Sequence, residues 1–184
     1  MPTLSKDDIA AERRRQEIAQ LRDYYAQVHR VDTVAYRILT ANREFCKKWV
    51  VAQTGMIAAT PQSLPKKYRK FSAEALSLRW VRPTVISVVE GSPAALAGII
   101  DKDELVSFNN EPIPVTATFR WINAFMEENE ERPIKVVLRR GDEEKTFVMT
   151  PVIGCAIPVV FEVDPGPTPS PITGKSSFNP VSCG

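Results

Sequence analysis

The sequence predicts an α+β fold in which a long N-terminal helix precedes a small β-rich domain with one short and one long helix. Three observations carry that prediction. Apolar residues recur at spacings of three and four from Ile18 to Phe45. Short β-branched runs such as "TVISVV" and "IKVVL" are bounded by Gly, Pro and Asn. Between them, "TATFRWINAFMEENEER" has the length and apolar stripe of a single good helix. At 184 residues, with 43% hydrophobic and 25% charged content, the chain suits one soluble domain with an extension. A net charge of +2 gives no overall pull toward nucleic acid or a membrane.

Residues 5 to about 45 read as helix. Ser5, with Asp8 three residues on, forms a weak capping box. The stripe Val31, Val34, Ile38, Ala41 and Phe45 makes the second half the more apolar. That half is therefore expected to pack on the domain, leaving "DDIAAERRRQE" to project. A solvated extension or a dimerising helix are the two readings of this segment, which is set apart as residues 1–48.

The domain proper is expected over 49–153. It opens with the strand region "VVAQTGMIAAT" and continues into an insert at 61–83, where Pro61 and Pro65 mark a loop and Ser72 caps a two-turn helix from Ala73 to Arg79. Lys66, Lys67, Arg69 and Lys70 around Tyr68 form the one basic cluster. With no second patch to extend it, no nucleic-acid partner is expected.

Next comes "VISVVEGSPAALAGIIDKDELVSFNNEPI". Val85 to Val89 is a strand, Ser92 a helix cap, Pro93 a first-turn residue and Gly98 a left-handed stop. A second strand through Leu105, Val106 and Phe108 ends in the turn pair Asn109-Asn110. After the long helix, Pro133 blocks continuation, and "IKVVLRR", Gly141-Asp142 and "EKTFVMTPV" form a hairpin. From residue 154 the chain is expected to be irregular, with Pro165, Pro167, Pro169, Pro171 and Pro180.

The chemistry-bearing residues are sparse. His29 is the single histidine, so a H-E-x-x-H zinc site is absent, and no serine sits in a nucleophile-elbow context. His29 reads as a surface or helix-packing residue, and a Ser-Lys dyad has no positive support. No catalytic, metal or cofactor site is expected, and no enzyme. The N-terminus has no secretory apolar core and no stretch is long enough to span a membrane, which places the chain in the cytoplasm as it stands, or outside it if a signal has been removed.

With its elements in order, the chain resembles the bacterial PDZ domains of HtrA-type and carboxyl-terminal processing proteases over about residues 50–152. Ser92, Pro93, Ala94, Ala97, Gly98, Asp103 and Asn109 match their signature directly. Lys102 stands where the usual glycine precedes the aspartate, which puts that turn in doubt, and Asn110 replaces a turn glycine. "VAYRILTANREFC" and "MTPVIGCAIPVVFEV" also look like the flanks of the PDZ domain in HtpX-like zinc metallopeptidases. Past Val163 this sequence turns proline-rich, and no zinc-peptidase module is expected in it.

This resemblance implies a small β-barrel or sandwich that binds an extended peptide or protein C-terminus by adding it to a sheet edge against the long helix. Thr54, Gly55, Met56, Ile57 and Ala58 would form the carboxylate-binding loop and edge. The helix from Thr116 to Met126 would be the opposing wall, with Trp121 either in the groove or packed on the insert or N-terminal helix. Gly55→Val should then block binding and leave the fold largely intact. Such permuted folds also bring chain entry and exit together, so Cys46 and Cys155 are expected to be neighbours. The absent signal favours two free thiols over a bond, and Cys183 should have no partner. A structural or oligomerising protein with a self-filled groove, and a truncated zinc metallopeptidase, are the competing functions.

Overall fold

The computed structural model describes residues 5–80, 82–114 and 119–157. The expected start of the long helix at 116–118, the proline-rich tail beyond 157 and Cys183 lie outside them. The fold is α+β, with a long N-terminal helix and antiparallel strands. Helix α1 spans Lys6–Ala41, and the Ser5–Asp8 capping box forms: Asp8 N–H donates to Ser5 Oγ and Ser5 N–H to the Asp8 carboxylate. That hydrogen bonding holds the Asp8 carboxyl below its ordinary range.

Two sheets follow. Strands β1 (Val50–Gln53) and β8 (Val152–Cys155) pair with each other. The larger sheet runs β2 (Met56–Ala59), β3 (Thr84–Val88), β4 (Glu104–Phe108), β6 (Ile134–Arg140) and β7 (Glu143–Met149), with the two-residue β5 (Glu111–Pro112) folded back on β4. The hairpin region is shorter than expected: the strand stops at Met149, and Pro151, which has no N–H to donate, separates it from β8. Helices α2 (Ser72–Leu76), α3 (Pro93–Leu96) and α4 (Phe119–Glu128) complete the fold.

The main core lies between the large sheet and α4. Phe108, Leu105, Ile134, Val136 and Leu138 are fully enclosed there. Each such side chain contributes roughly 1.5–3 kcal/mol of burial. A second core, which the sequence did not announce, joins α1 to the insert. Ile18 and Leu21, in the polar half of α1, are buried against Leu64, Tyr68, Phe71 and Leu78 of the insert. Arg14 pairs with Glu74, and Arg22 donates to the Glu74 carbonyl. Residues 7–16 are exposed, as expected, and Ile18 and Leu21 anchor the turn that follows them. The second half meets the domain through Tyr36, Leu39 and Thr40, while Val34 and Ile38 of the expected stripe stay exposed. The expected helix of the insert is present but shorter, Ser72–Leu76, and the 3-10 turn Lys66–Phe71 leads straight into it, so Ser72 lies inside the helix rather than capping it. Tyr68 turns inward, and the Lys67 ammonium covers its ring at 4.6 Å from the centroid.

Candidate functional site

The strand–turn–strand signature braces the loop ahead of β2. Gly55 takes φ 70°, a left-handed conformation that suits glycine. The Thr54 carbonyl accepts from Ala94 N–H at 3.1 Å, and the Gly55 carbonyl from Val89 N–H at 2.8 Å. Ser92 caps α3 by accepting from Ala95 N–H at 3.3 Å, and its side chain lies against Gly55. A Cβ on Gly55 would strike Ser92 Cβ and Oγ. Gly55→Val would therefore disturb the α3 cap as well as the loop, contrary to the expectation that the fold stays intact.

Met56 N–H turns away from β3 and donates to Thr54 Oγ1 at 3.3 Å. Strand β2 ends the large sheet and pairs only with β3 among the described residues. Its side chains alternate: Met56 and Ala58 pack on the main core, Ala59 on the second. The two sheet edges differ in chemistry. Edge β7 carries Glu143, Glu144 and Lys145, charges that discourage strand addition, whereas β2 carries Met, Ile, Ala and Ala.

Trp121 is half-buried and packs on the main core, stacked on Phe108 at 6.3 Å and Phe125 at 5.9 Å between ring centroids. Helix α4 itself packs against β1. Trp121 and the Met56–Ala58 edge thus share one core. Two open hollows lie along Asp8–Gln16 of α1 and at Phe45–Trp49.

Helix α1 reaches the site from the other face. His29 Nδ1 lies 2.7 Å from Ser87 Oγ, and the Tyr36 ring stands beside Gly55. The bulge at Ile86, where β2 and β3 shift register, turns Ser87 toward α1. Ser87 is only 3% exposed, within a strand, so its hydroxyl pins the helix rather than meeting a substrate. Asp32, one turn on from His29, is partly buried, and burial pushes its carboxyl up to about 6 against the pull of His29. Among the described residues no group of three or more His, Cys, Asp or Glu is placed to hold a metal ion.

The turn before β4, whose geometry Lys102 left open, is held by Asp103. Asp103 is fully buried and bound by both Arg140 Nε and Nη2 at 2.8 Å, while it accepts Ile100 N–H at 3.0 Å. Lys102 adopts φ 73°, the conformation of the glycine it replaces. Cys46 and Cys155 form a disulfide, with Cα atoms 5.5 Å apart. The preference for free thiols is thus corrected: the β1–β8 register sets Val50 opposite Cys155, and the 3-10 turn Arg43–Cys46 swings back over that pair.

No protein-family model matches the chain, and neither does any curated protein. Among solved structures, the HtrA3 PDZ domain bound to a phage-derived ligand is 20% identical over 56% of this chain and 88% of that one, with a TM-score of 0.43. The HtrA-type protease AlgW with a decapeptide is 19% identical over 60% of this chain and 31% of its own, at 0.43. A serine endoprotease from Yersinia pestis gives 18%, 58% and 30%, at 0.41. The matched region thus spans about a third of the two proteases. At these TM-scores the likeness carries no argument about function, which rests on the geometry.

Proposed function

We propose that this chain is a PDZ-like, non-catalytic binding module that takes up an extended peptide or protein C-terminus by strand addition at β2. The observation that carries this reading is the contrast between edges: β2 is unpaired on one side among the described residues, uncharged, and preceded by a braced left-handed glycine, whereas β7 is charged. Backbone groups of Met56 and Ala58 would pair with the ligand, and the loop at Thr54-Gly55 would meet its end. A regulatory or substrate-recognition role beside a protease follows from the PDZ resemblance of the sequence. The metallopeptidase kinship suggested by the flanks has the sequence resemblance alone behind it. The disulfide favours the extracytoplasmic of the two locations, since such bonds persist in oxidising compartments.

A second reading, a structural protein whose groove is filled by its own chain, draws on the approach of Tyr36 to Gly55. One experiment separates the two. Selection from a library of peptides with free C-termini should enrich a motif, and Met56→Pro, which removes an N–H that does not serve the β2–β3 ladder, should abolish its binding. If no peptide is enriched, the second reading holds. Unchanged affinity in Met56→Pro moves the site away from β2.

A further inference from the structure

We infer that the turn from Phe45 to Trp49, together with Ile157, is a docking surface for an anionic lipid bilayer. Phe45 is 82% exposed, Trp49 60% and Ile157 54%, and with Lys47, Lys48 and Ala156 they line one open hollow of about 750 Å³. Large apolar side chains this exposed and this close together mark a contact surface rather than scattered surface residues.

The turn is built to hold them out. The Cys46–Cys155 disulfide fastens its middle to β8, Trp49 N–H donates to the Cys46 carbonyl at 2.8 Å, and Ala156 N–H donates to the Trp49 carbonyl at 2.9 Å. Lys47, at the corner, has φ 50°, a strained conformation for a side-chain-bearing residue and one that a fixed turn can maintain.

Charge selects the occupant. The Lys48 ammonium lies 5.4 Å from the centre of the Trp49 ring, and neither Lys47 nor Lys48 meets a carboxylate among the described residues. Glu44, next in sequence, is exposed, and Glu131 faces Arg43 at 3.7 Å. A two-fold contact with a second copy would press the two lysine pairs together, and lysine is depleted from protein interfaces. Phosphates of anionic headgroups meet both lysines, while Trp and Phe settle at the boundary between headgroups and acyl chains. The contact is interfacial and leaves the β2 edge free, since the hollow does not include it.

Co-sedimentation of the whole chain with vesicles of equal parts phosphatidylglycerol and phosphatidylcholine tests this. The wild type should bind them and leave pure phosphatidylcholine vesicles largely unbound. Phe45→Ser with Trp49→Ser, and separately Lys47→Glu with Lys48→Glu, should each weaken binding by roughly tenfold or more without changing the melting temperature, because all four side chains are exposed. Quenching of Trp fluorescence by brominated lipid should disappear in Trp49→Phe. Failure of the wild type to sediment at millimolar lipid overturns the proposal, as does equal binding by both double variants. A dimer in solution that Phe45→Ser with Trp49→Ser dissolves would assign the surface to a second copy instead.

Discussion

Asp103 and Arg140 show how much a single pair of charges can hold in place. The carboxylate is buried and the guanidinium partly exposed, so the two partners are not equivalent. Hydrogen bonding to Asp103 raises the pKa of Arg140 further above its ordinary value. Arg140→Met strands a buried carboxylate and should cost about 3–5 kcal/mol in urea unfolding. Asp103→Asn removes the charge but keeps an acceptor for Ile100 N–H and should cost clearly less. Equal losses would mean that packing, not charge, dominates the site. Asp32 behaves in the opposite sense. Its carboxyl is raised from 3.8 to about 6 in the folded protein, so the folded state favours its protonated form. The resulting stability is fully present below about pH 4 and is lost as pH rises through 6. Asp32→Asn should therefore stabilise the protein at pH 7 by about 1 kcal/mol after allowing for solvent screening. Thermal melts should show the advantage vanish near pH 4, and an advantage that persists there would point to another cause.

At the scale of elements, the second core joins the first half of α1 to the insert. Leu21→Ala should cost about 2–5 kcal/mol, and hydrogen exchange should show α1 and α2 loosening together while β4 and β6 stay protected. Protection lost across the whole sheet would show a single cooperative unit. This core was also the least legible part of the sequence. Leu64, Tyr68, Phe71 and Leu78 do recur at helical spacings of four, three and seven, but Pro65 and the four cations between them make the stretch read as a solvated loop, and only their contact with Ile18 and Leu21 reveals them as interior. The apolar half of α1 does pack on the domain, but through Tyr36, Leu39 and Thr40 rather than Val34 and Ile38, because periodicity does not say which face finds a partner. By contrast, the Gly55 loop, the Ser92 cap, the Gly98 stop and the Asn109-Asn110 turn were readable, because each answers a local backbone demand within a few residues. The two-residue β5 has too little sequence to announce itself. Trp121 could be placed on the right helix but not on a side, since stacking on Phe108 depends on a strand distant in sequence.

For the molecule as a whole, the disulfide joins residues separated by 109 positions. Closing a loop of that size stabilises by about 4–5 kcal/mol in the chain-entropy model. Reduction should lower the urea midpoint accordingly, and Cys46→Ser should match it. Thiol titration of the unfolded, unreduced protein should find a single free sulfhydryl, at Cys183, and three would exclude the bond. The same bond has a topological consequence. From Cys46 to Cys155 the polypeptide is a covalent ring that contains the insert, the candidate edge and all of the large sheet. Trypsin cutting once at Lys66, Lys67, Arg69 or Lys70 would open that ring without releasing a fragment. On a gel the nicked protein should run as one species until a reductant separates its two pieces.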